Sequence, residues 1–372
     1  MRADDSDPRA LIAEVDTVIA AFTDPYGRLL GKRFDSGFYR ESVAGAGTHV
    51  CDYLFGADIE MEPQPGYDLV GWEHGYGDVH LVPDVSTLRR AGWAERTAIV
   101  LCDVHRHDHS PMPVSPRQIL RRQIERLDAL GLTARIASEL EFFERDTVPR
   151  GAVLGGYIED YHLLSTERTE PMLGELRGVL TASGVPVEST KGEFGVGQHE
   201  LNLVHDAPME MADRHVLVKH ATKVIAERHG RPVTFMAKPF ADQAGSSCHL
   251  HLSLWRDDRP IGDDALFEAF VAGWMAHVDD LLVWWAPTVN SYKRFVDGSW
   301  APTRLAWSTD NRTAAFRMVG DGPARRIECR VPGADVNPYL AYAAAIAAGV
   351  AGVEAGLELP PPSRGDVYTG GE

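Results

Sequence analysis

Four segments of this sequence alternate apolar residues with glutamate, histidine or arginine. They are IASELEFF (136–143), HELNLV (199–204), CHLHLSLW (248–255) and RIECRV (326–331). Strict alternation is typical of a β-strand with one face in the core, because successive side chains point to opposite faces. The second faces carry Glu139, Glu141, Glu200, His249, His251, Ser253, Arg326, Glu328 and Arg330. A solvated face usually carries lysine and threonine instead, so the four strands together predict a sheet curved around a polar cavity.

The residue types on these faces indicate the chemistry of such a cavity. Carboxylates at neighbouring positions repel one another, so they need cations between them. Oxygen ligands with one or two imidazoles suit Mg²⁺ or Mn²⁺ better than Zn²⁺. Arginines in the same cavity suit phosphate and carboxylate groups. The set predicts phosphoryl transfer from a nucleotide, although the sequence contains neither a Walker loop nor a strand followed by Gly-x-Gly-x-x-Gly.

Helices and turns must support these strands. Ser115 as N-cap, Pro116 at the first helical position and Gly131 as terminator predict one helix, and a second is predicted over about 213–229. A third, alanine-rich helix over 339–353 follows Asn337 and Pro338, and we expect it to be buried in the core. Near the start, residues 16–34 predict a hairpin that turns at DPYG.

The segment HRHDHSPMPVSP (105–116) lacks periodicity and indicates a domain boundary. We therefore predict a small N-terminal domain over 1–109 and a large domain over 110–372. Within the small domain, the Gly- and aromatic-rich segment 66–78 is a candidate functional loop.

Composition limits the partners and the compartment. The 372 residues carry a formal net charge of −17, which disfavours nucleic acid and anionic membranes as partners. The four cysteines form no Cys-x-x-Cys pair, and the N-terminus lacks a basic region followed by an apolar run. Both features favour a reducing cytoplasm.

Six segments, in chain order, resemble motifs of the glutamine synthetase superfamily. They are SELEFF (138–143), EFGVGQHE (193–200), GSSCHLHLS (245–253), NSYKRFVDGSWAP (290–302), DNRTAAFR (310–317) and RRIECR…NPYLA (325–341). The resemblance extends from about residue 15 to 360. It implies an α+β fold, with a small N-terminal β-grasp-like domain and a large C-terminal domain whose curved antiparallel sheet, a half-barrel, is backed by helices.

The resemblance also implies residue roles, with ATP and two to three Mg²⁺ or Mn²⁺ ions as cofactors. One metal site, n1, would comprise Glu141, Glu193 and Glu200, and the other, n2, would comprise Glu139, His249 and Glu328. Contacts to ATP would come from His251, Ser253, Arg317 and Arg326. Glutamate would be bound by Arg294, Gly245 and Arg330. Arg312 and Arg330 would act on the transferring phosphoryl group and the acyl phosphate.

Departures from the family pattern concern the nucleophile. The flap loop reads GSWAP, so Trp300 stands where glutamine synthetases carry a glutamate that shapes the ammonium site. Ala244 replaces an asparagine that contacts glutamate, and relatives continue with further C-terminal helices beyond the point that corresponds to PPPSRGDVYTGGE. Asp52 and Asp58 both remain candidates for the residue that deprotonates the nucleophile.

Three functions are compatible with these residues. The first is a ligase that joins glutamate to a small organic amine, such as a polyamine, an amino alcohol or a monoamine, and we expect Trp300 to contact that amine. The second is a true glutamine synthetase that uses ammonium, and the third is a non-catalytic relative with an assembly or regulatory role. Filled metal-ligand positions argue against the third. The resemblance further implies a homo-oligomer, a hexameric ring or a dodecamer of two rings, with each active site between subunits.

Overall fold

A computed structural model describes residues 8–144, 158, 160–262 and 264–370 of the chain. Its residues divide into two compact units, one formed by Met1–Ile119 with Gly178–Val185 and the other by Leu120–Arg177 with Pro186–Glu372. The division into domains over 1–109 and 110–372 stays a prediction. The first seven residues of the expected small domain lie outside the described part of the chain.

The first unit contains a mixed sheet. In spatial order its strands are Leu29–Asp35, Thr17–Thr23, Thr97–His105, Asp78–Pro83 and Thr48–Cys51, with Arg89–Arg90 paired to Thr97–His105. Thr17–Thr23 runs antiparallel to Leu29–Asp35 and parallel to Thr97–His105. The predicted hairpin is confirmed, and its turn is fixed by Asp24, whose Oδ1 accepts hydrogen bonds from the main-chain N–H groups of Tyr26 and Arg28.

The second unit is built on a larger sheet. In spatial order its strands are Trp307–Thr309, Phe316–Val319, Arg326–Cys329, Cys248–Arg256, Thr133–Glu144, Gln198–Leu203 and Val187–Gly192. Two short strands also pair, Val233–Thr234 with Thr133–Glu144 and Arg259–Pro260 with Cys248–Arg256. Every pairing is antiparallel, as expected, apart from the parallel edge pair Trp307–Thr309 and Phe316–Val319. One face is buried in the core, where Leu140, Leu201, Leu250 and Ile327 lie. With its helices, this arrangement confirms the predicted α+β class.

The α-helices of eight residues or more are Pro116–Asp128, Leu163–Ala182, Pro208–Arg228, Ala265–Ala276, Val278–Trp285 and Pro338–Ala355. The predicted start of the second of the three expected helices, residue 213, is wrong by five residues. Proline at the first position favours a helix start at Pro208, but the preceding Ala207 offers no side-chain cap. The usual polar signal of a helix N-terminus is therefore missing from the sequence.

The alanine-rich helix Pro338–Ala355 begins as predicted. Asn337 accepts a hydrogen bond from the main-chain N–H of Tyr339, and Gly356 ends the helix in the left-handed conformation. By length and composition alone this helix could cross a membrane, but 72% of it is buried inside the fold, as expected for a core helix. It packs closely on Ala265–Ala276, because a Cβ at Gly273 would lie only 2.4 Å from the Ala348 carbonyl oxygen.

Candidate active site

Strand register brings the acidic residues together. Thr133–Glu144 lies between Cys248–Arg256 and Gln198–Leu203, so that Glu139 pairs with His249 and Glu141 pairs with Glu200. Side chains on directly paired residues of antiparallel strands are about 4.5–5.5 Å apart at Cβ. The two-residue spacing of Glu139 and Glu141 therefore produces two adjacent clusters on one sheet face.

The first cluster consists of Glu141, Glu193 and Glu200, which we call the carboxylate trio. Each of them offers an oxygen atom, and these oxygens lie within 4.8 Å of one another. Glu193 follows the strand Val187–Gly192, and its main-chain N–H donates to the Gln198 carbonyl oxygen at 2.9 Å. Three carboxylates with converging oxygens suit a hard divalent cation such as Mg²⁺ or Mn²⁺.

The second cluster contains Glu139, His249 and Glu328. His249 Nδ1 lies 3.1 Å from Glu139 Oε2 and 3.6 Å from Glu328 Oε1. Glu139 also approaches the neighbouring imidazole, with His251 Nε2 at 2.8 Å from Glu139 Oε1. In this region, two groups have ligand atoms close enough to hold a metal ion: Glu139 with His251 and Glu328, and Glu139 with Glu200 and His249.

The two clusters differ in charge balance. Burial, reinforced by neighbouring carboxylates, raises the pKa of Glu141 and Glu200 well above the usual glutamate range. The pKa of Glu328 falls to about 2, because Arg330 and the two histidines outweigh the opposite effect of burial. The trio thus gathers buried, crowded carboxylates whose ionised forms are disfavoured, and a divalent ion bound among them would stabilise those forms.

Arg294 and Arg330 are buried guanidinium groups in the same region. Arg294 is buried, donating from Nη1 to the Val331 carbonyl oxygen at 2.9 Å and from Nη2 to Ser247 Oγ at 2.7 Å. Arg330 Nη1 contacts Glu328 Oε1 at 2.7 Å. The Nε atoms of both arginines are buried without a hydrogen-bond partner in the described structure. Gly245 leaves room for the Arg294 side chain, because a Cβ at position 245 would lie 2.5 Å from Arg294 Cγ.

These groups share one cavity of about 550 Å³. Of the predicted residues in the second unit, all six expected metal ligands line it, as do Gly245, Arg294, Trp300, Arg312, Arg317 and Arg330. The remaining residues expected to contact ATP, His251, Ser253 and Arg326, are not among its lining residues. Arg326 Nε instead donates to His251 Nδ1 at 3.3 Å, and Ser253 Oγ accepts a hydrogen bond from Trp255.

The flap contributes an aromatic wall. The ring of Trp300 packs edge-on against Phe194, with centroids 5.9 Å apart, and 47% of the Trp300 surface stays exposed. The backbone of Trp300 has a φ of 67°, which is unusual for a bulky residue. Arg330 Nη2 donates to its carbonyl oxygen at 3.3 Å, and Tyr368 Oη donates to the next carbonyl, at Ala301, at 3.1 Å.

Lys191 is a cavity residue that sequence reasoning missed. Its Nζ contacts Glu193 and lies 3.4 Å from Asp160 Oδ1, 4.0 Å from Glu200 Oε1 and 4.2 Å from the ring centre of Tyr161. Burial lowers the pKa of Lys191, but the neighbouring carboxylates raise it by a larger amount. The pKa of Lys191 therefore lies above the usual lysine range. The sequence signal for this residue was its position, two residues before the expected metal ligand Glu193. It was missed because its strand is not one of the four segments with an alternating pattern.

The two candidate proton acceptors, Asp52 and Asp58, belong to the first unit and differ in surroundings. Asp58 Oδ1 accepts the main-chain N–H groups of Glu60 and Glu62, and its Oδ2 accepts the side chain of Gln64. Asp52 Oδ1 is buried and has no hydrogen-bond partner among the described residues. Burial is the largest cause of a raised pKa at Asp52.

Comparisons with known proteins agree with this geometry. Residues 113–372 match the family model described as glutamine synthetase, catalytic domain. The chain is 44% identical over 380 residues to gamma-glutamylethanolamide synthetase GlnA4 of Streptomyces coelicolor, a match that covers 97% of this chain and 81% of that protein. It is 35% identical over 377 residues to glutamate–isopropylamine ligase of a Pseudomonas species, with 95% and 81% covered.

A solved structure described as a GmaS/ADP complex superposes with a TM-score of 0.84 at 28% identity, and the match covers 98% of this chain and 85% of that one. The family match covers well over half of the chain, and both relatives exceed 30% identity over nearly all of it. The chain therefore belongs to the glutamine synthetase family.

Proposed function

We propose that this protein is an ATP-dependent ligase that joins the γ-carboxylate of glutamate to a small organic amine through γ-glutamyl phosphate. One observation carries the proposal: a single cavity combines cation-binding carboxylates, buried arginines and the ring of Trp300. The two relatives are named for ligation of glutamate to ethanolamine and isopropylamine, which supports an organic amine over ammonia.

Two divalent ions fit the acidic side of the cavity. The carboxylate trio would hold one, and Glu139, His249 and Glu328 would hold the other, with a third ion also compatible with the family pattern. Bound there, Mg²⁺ or Mn²⁺ would neutralise charge on the phosphate groups of ATP during transfer. The raised pKa values of Glu141 and Glu200 support this assignment, because burial and neighbouring carboxylates disfavour their ionised forms and a bound cation would stabilise them.

Arginines would bind glutamate and stabilise the transferring group. Arg294, held rigidly by Ser247 and Val331, would bind the α-carboxylate beside the backbone of Gly245. Arg312 would face the phosphoryl group, and Arg330 would contact glutamate and the acyl phosphate. Fixed guanidinium groups stabilise such charge at low reorganisation cost.

For the nucleotide, we propose Arg317, Arg326, His251 and Ser253 as contacts. Arg317 has the strongest support, because it lines the cavity and its Nη1 lies 2.9 Å from Glu328 Oε2. The structure described as a GmaS/ADP complex supports a nucleotide site in this fold.

The amine would bind against Trp300. Its nitrogen would attack the acyl carbon of γ-glutamyl phosphate, forming the C–N bond as phosphate leaves with the electrons of the C–O bond. A side-chain carboxylate would take the proton released from nitrogen. We propose Asp52 for this role rather than Asp58, because Asp52 has a buried oxygen without a partner and Asp58 is occupied by turn contacts.

Assembly and location complete the proposal. Since Asp52 belongs to the first unit, a hexameric ring or a dodecamer in which the small domain of one subunit completes the site of the next would bring it to the cavity. A cytoplasmic location agrees with four free cysteines at positions 51, 102, 248 and 329.

An ADP-release assay with glutamate, ATP and Mg²⁺ or Mn²⁺ tests the activity against a panel of amines and ammonium. We expect at least one organic amine to exceed ammonium in kcat/KM, with mass spectrometry identifying the γ-glutamyl amide. If ammonium exceeds every amine, the protein is a glutamine synthetase. If no nucleophile stimulates ADP release, the non-catalytic alternative is favoured.

A further inference from the structure

Lys191 places a positive charge beside the carboxylate trio. Its Nζ contacts Glu193 directly, lies 4.0 Å from Glu200 and is also held by Asp160 at 3.4 Å. The ring of Tyr161, 4.2 Å away, adds a cation–π contact. Three carboxylates and one aromatic face therefore surround a single ammonium group.

The lysine reaches this position through strand register. It pairs with Glu200 across the antiparallel strands Val187–Gly192 and Gln198–Leu203, so both side chains lie on the cavity face. The lysine side chain is largely buried at 16% exposure, which limits screening by water. No other lysine lines the cavity in the described part of the chain.

A divalent ion and this ammonium group would compete for the same carboxylates. An ion held by Glu193 and Glu200 would share their oxygens with the ammonium group, and would therefore lie within a few ångström of Nζ if the lysine stayed. Two cations at that distance repel strongly in a partly buried site. The flexible four-carbon stem of lysine allows the ammonium to withdraw.

We propose that Lys191 is a tethered counter-cation, which holds the carboxylate trio together in the metal-free protein and must withdraw before a divalent ion binds there. This inference rests on the proposed metal site of the trio. Lys191 is accordingly a positioning residue: it stabilises the metal-free fold and weakens the affinity for metal.

The test removes the positive charge of Lys191 and measures metal binding in the absence of the enzymatic reaction. Lys191→Met and Lys191→Gln are compared with wild type by Mn²⁺ titration calorimetry and by thermal unfolding in EDTA. We expect both variants to bind Mn²⁺ at least about tenfold more tightly, because the competing charge is gone. We also expect both to melt at lower temperature in EDTA and to gain more stability from Mn²⁺ than wild type gains. The Lys191→Gln variant keeps a hydrogen-bond donor but lacks the charge. It therefore tests the effect of the charge even if the methionine variant folds poorly.

Lys223→Met is the matched control, since it removes the same charge from an exposed position on the helix Pro208–Arg228. We expect its Mn²⁺ affinity to equal that of wild type. Unchanged or weaker Mn²⁺ binding in both Lys191 variants would overturn the inference. A separate failure is recognisable: if Glu200→Gln binds as many Mn²⁺ ions as wild type with equal affinity, the proposed metal site itself is wrong.

Discussion

Replacing Trp300 by alanine separates the proposed amine contact from the rest of the site. The change removes the ring that lines the cavity, but it keeps the main-chain carbonyl that accepts a hydrogen bond from Arg330. Arg330 should therefore keep its position. We expect the loss to fall on the organic amine and to spare glutamate and ATP.

The size of the effect follows from the exposed ring. A two-carbon alkyl chain gains about 0.8 kcal/mol for each fully buried CH₂, so the ring contributes between about 0.8 kcal/mol, if it covers the chain on one side, and about 1.6 kcal/mol, if the chain is fully buried. A cation–π contact at an exposed site adds about 0.5–1 kcal/mol. The sum of about 1.3–2.6 kcal/mol corresponds to a decrease in kcat/KM of about 10- to 70-fold.

Steady-state kinetics with the best organic amine and with ammonium provide the assay. We expect ammonium to lose at most about two- to fivefold, because it can lose the cation–π contact but has no alkyl chain to bury. Trp300→Phe retains an aromatic face and should recover most of the lost efficiency. Equal losses for amine and ammonium in the alanine variant would refute the reasoning, since the ring would then only support the flap.

Other predictions concern the metal, the glutamate site and the core. Glu141→Gln removes one charge of the carboxylate trio, so calorimetry should find Mn²⁺ binding at least about tenfold weaker, and unchanged affinity would exclude this residue as a ligand. Gly245→Ala places a Cβ 2.5 Å from Arg294 Cγ, and the displaced guanidinium should raise the glutamate KM about 10- to 100-fold without a matching change for ATP. Gly273→Ala should lower the free energy of unfolding by about 1–3 kcal/mol, because its Cβ would lie 2.4 Å from a main-chain oxygen of the facing helix. In denaturant melts, Gly178→Ala is the control: its Cβ meets nothing within 4 Å, so it should stabilise by up to about 1 kcal/mol, and equal behaviour of the two variants would contradict the packing argument.

The alternating segments were predictable because successive residues of a β-strand point to opposite faces, so the sequence shows which residues share a face. Apolar residues such as Leu140 and Leu250 are buried on one face, while Glu139 and His249 line the cavity on the other. Alternation does not specify which strands are neighbours or in what register they pair. The motif resemblance supplied that long-range information, and the pairing of Glu139 with His249 agrees with it.

Residues outside the alternating pattern were harder to predict. Phe194 lies next to an expected metal ligand, but its contact with Trp300 depends on the path of two loops separated by about a hundred residues. The start of the helix Pro208–Arg228 was misplaced because its N-cap is an alanine. The Phe194–Trp300 contact is tertiary and no local spacing encodes it, whereas the helix start lacked the usual polar capping signal.

At Trp300, in the flap, an unfavourable backbone conformation coincides with the proposed amine contact. A bulky side chain at a φ of 67° is costly, and such conformations persist only where surrounding contacts impose them. Here the contacts are the bonds from Arg330 to the Trp300 carbonyl and from Tyr368 to the Ala301 carbonyl, together with Ser299 Oγ donating to the Arg294 carbonyl at 2.8 Å. Arg294 and Arg330 are also the proposed glutamate anchors, so the same two residues that would bind the acyl donor hold the strained loop. This arrangement links the position of the aromatic wall to the proposed glutamate site, so a change at Arg294 or Arg330 should also disturb the loop that carries Trp300.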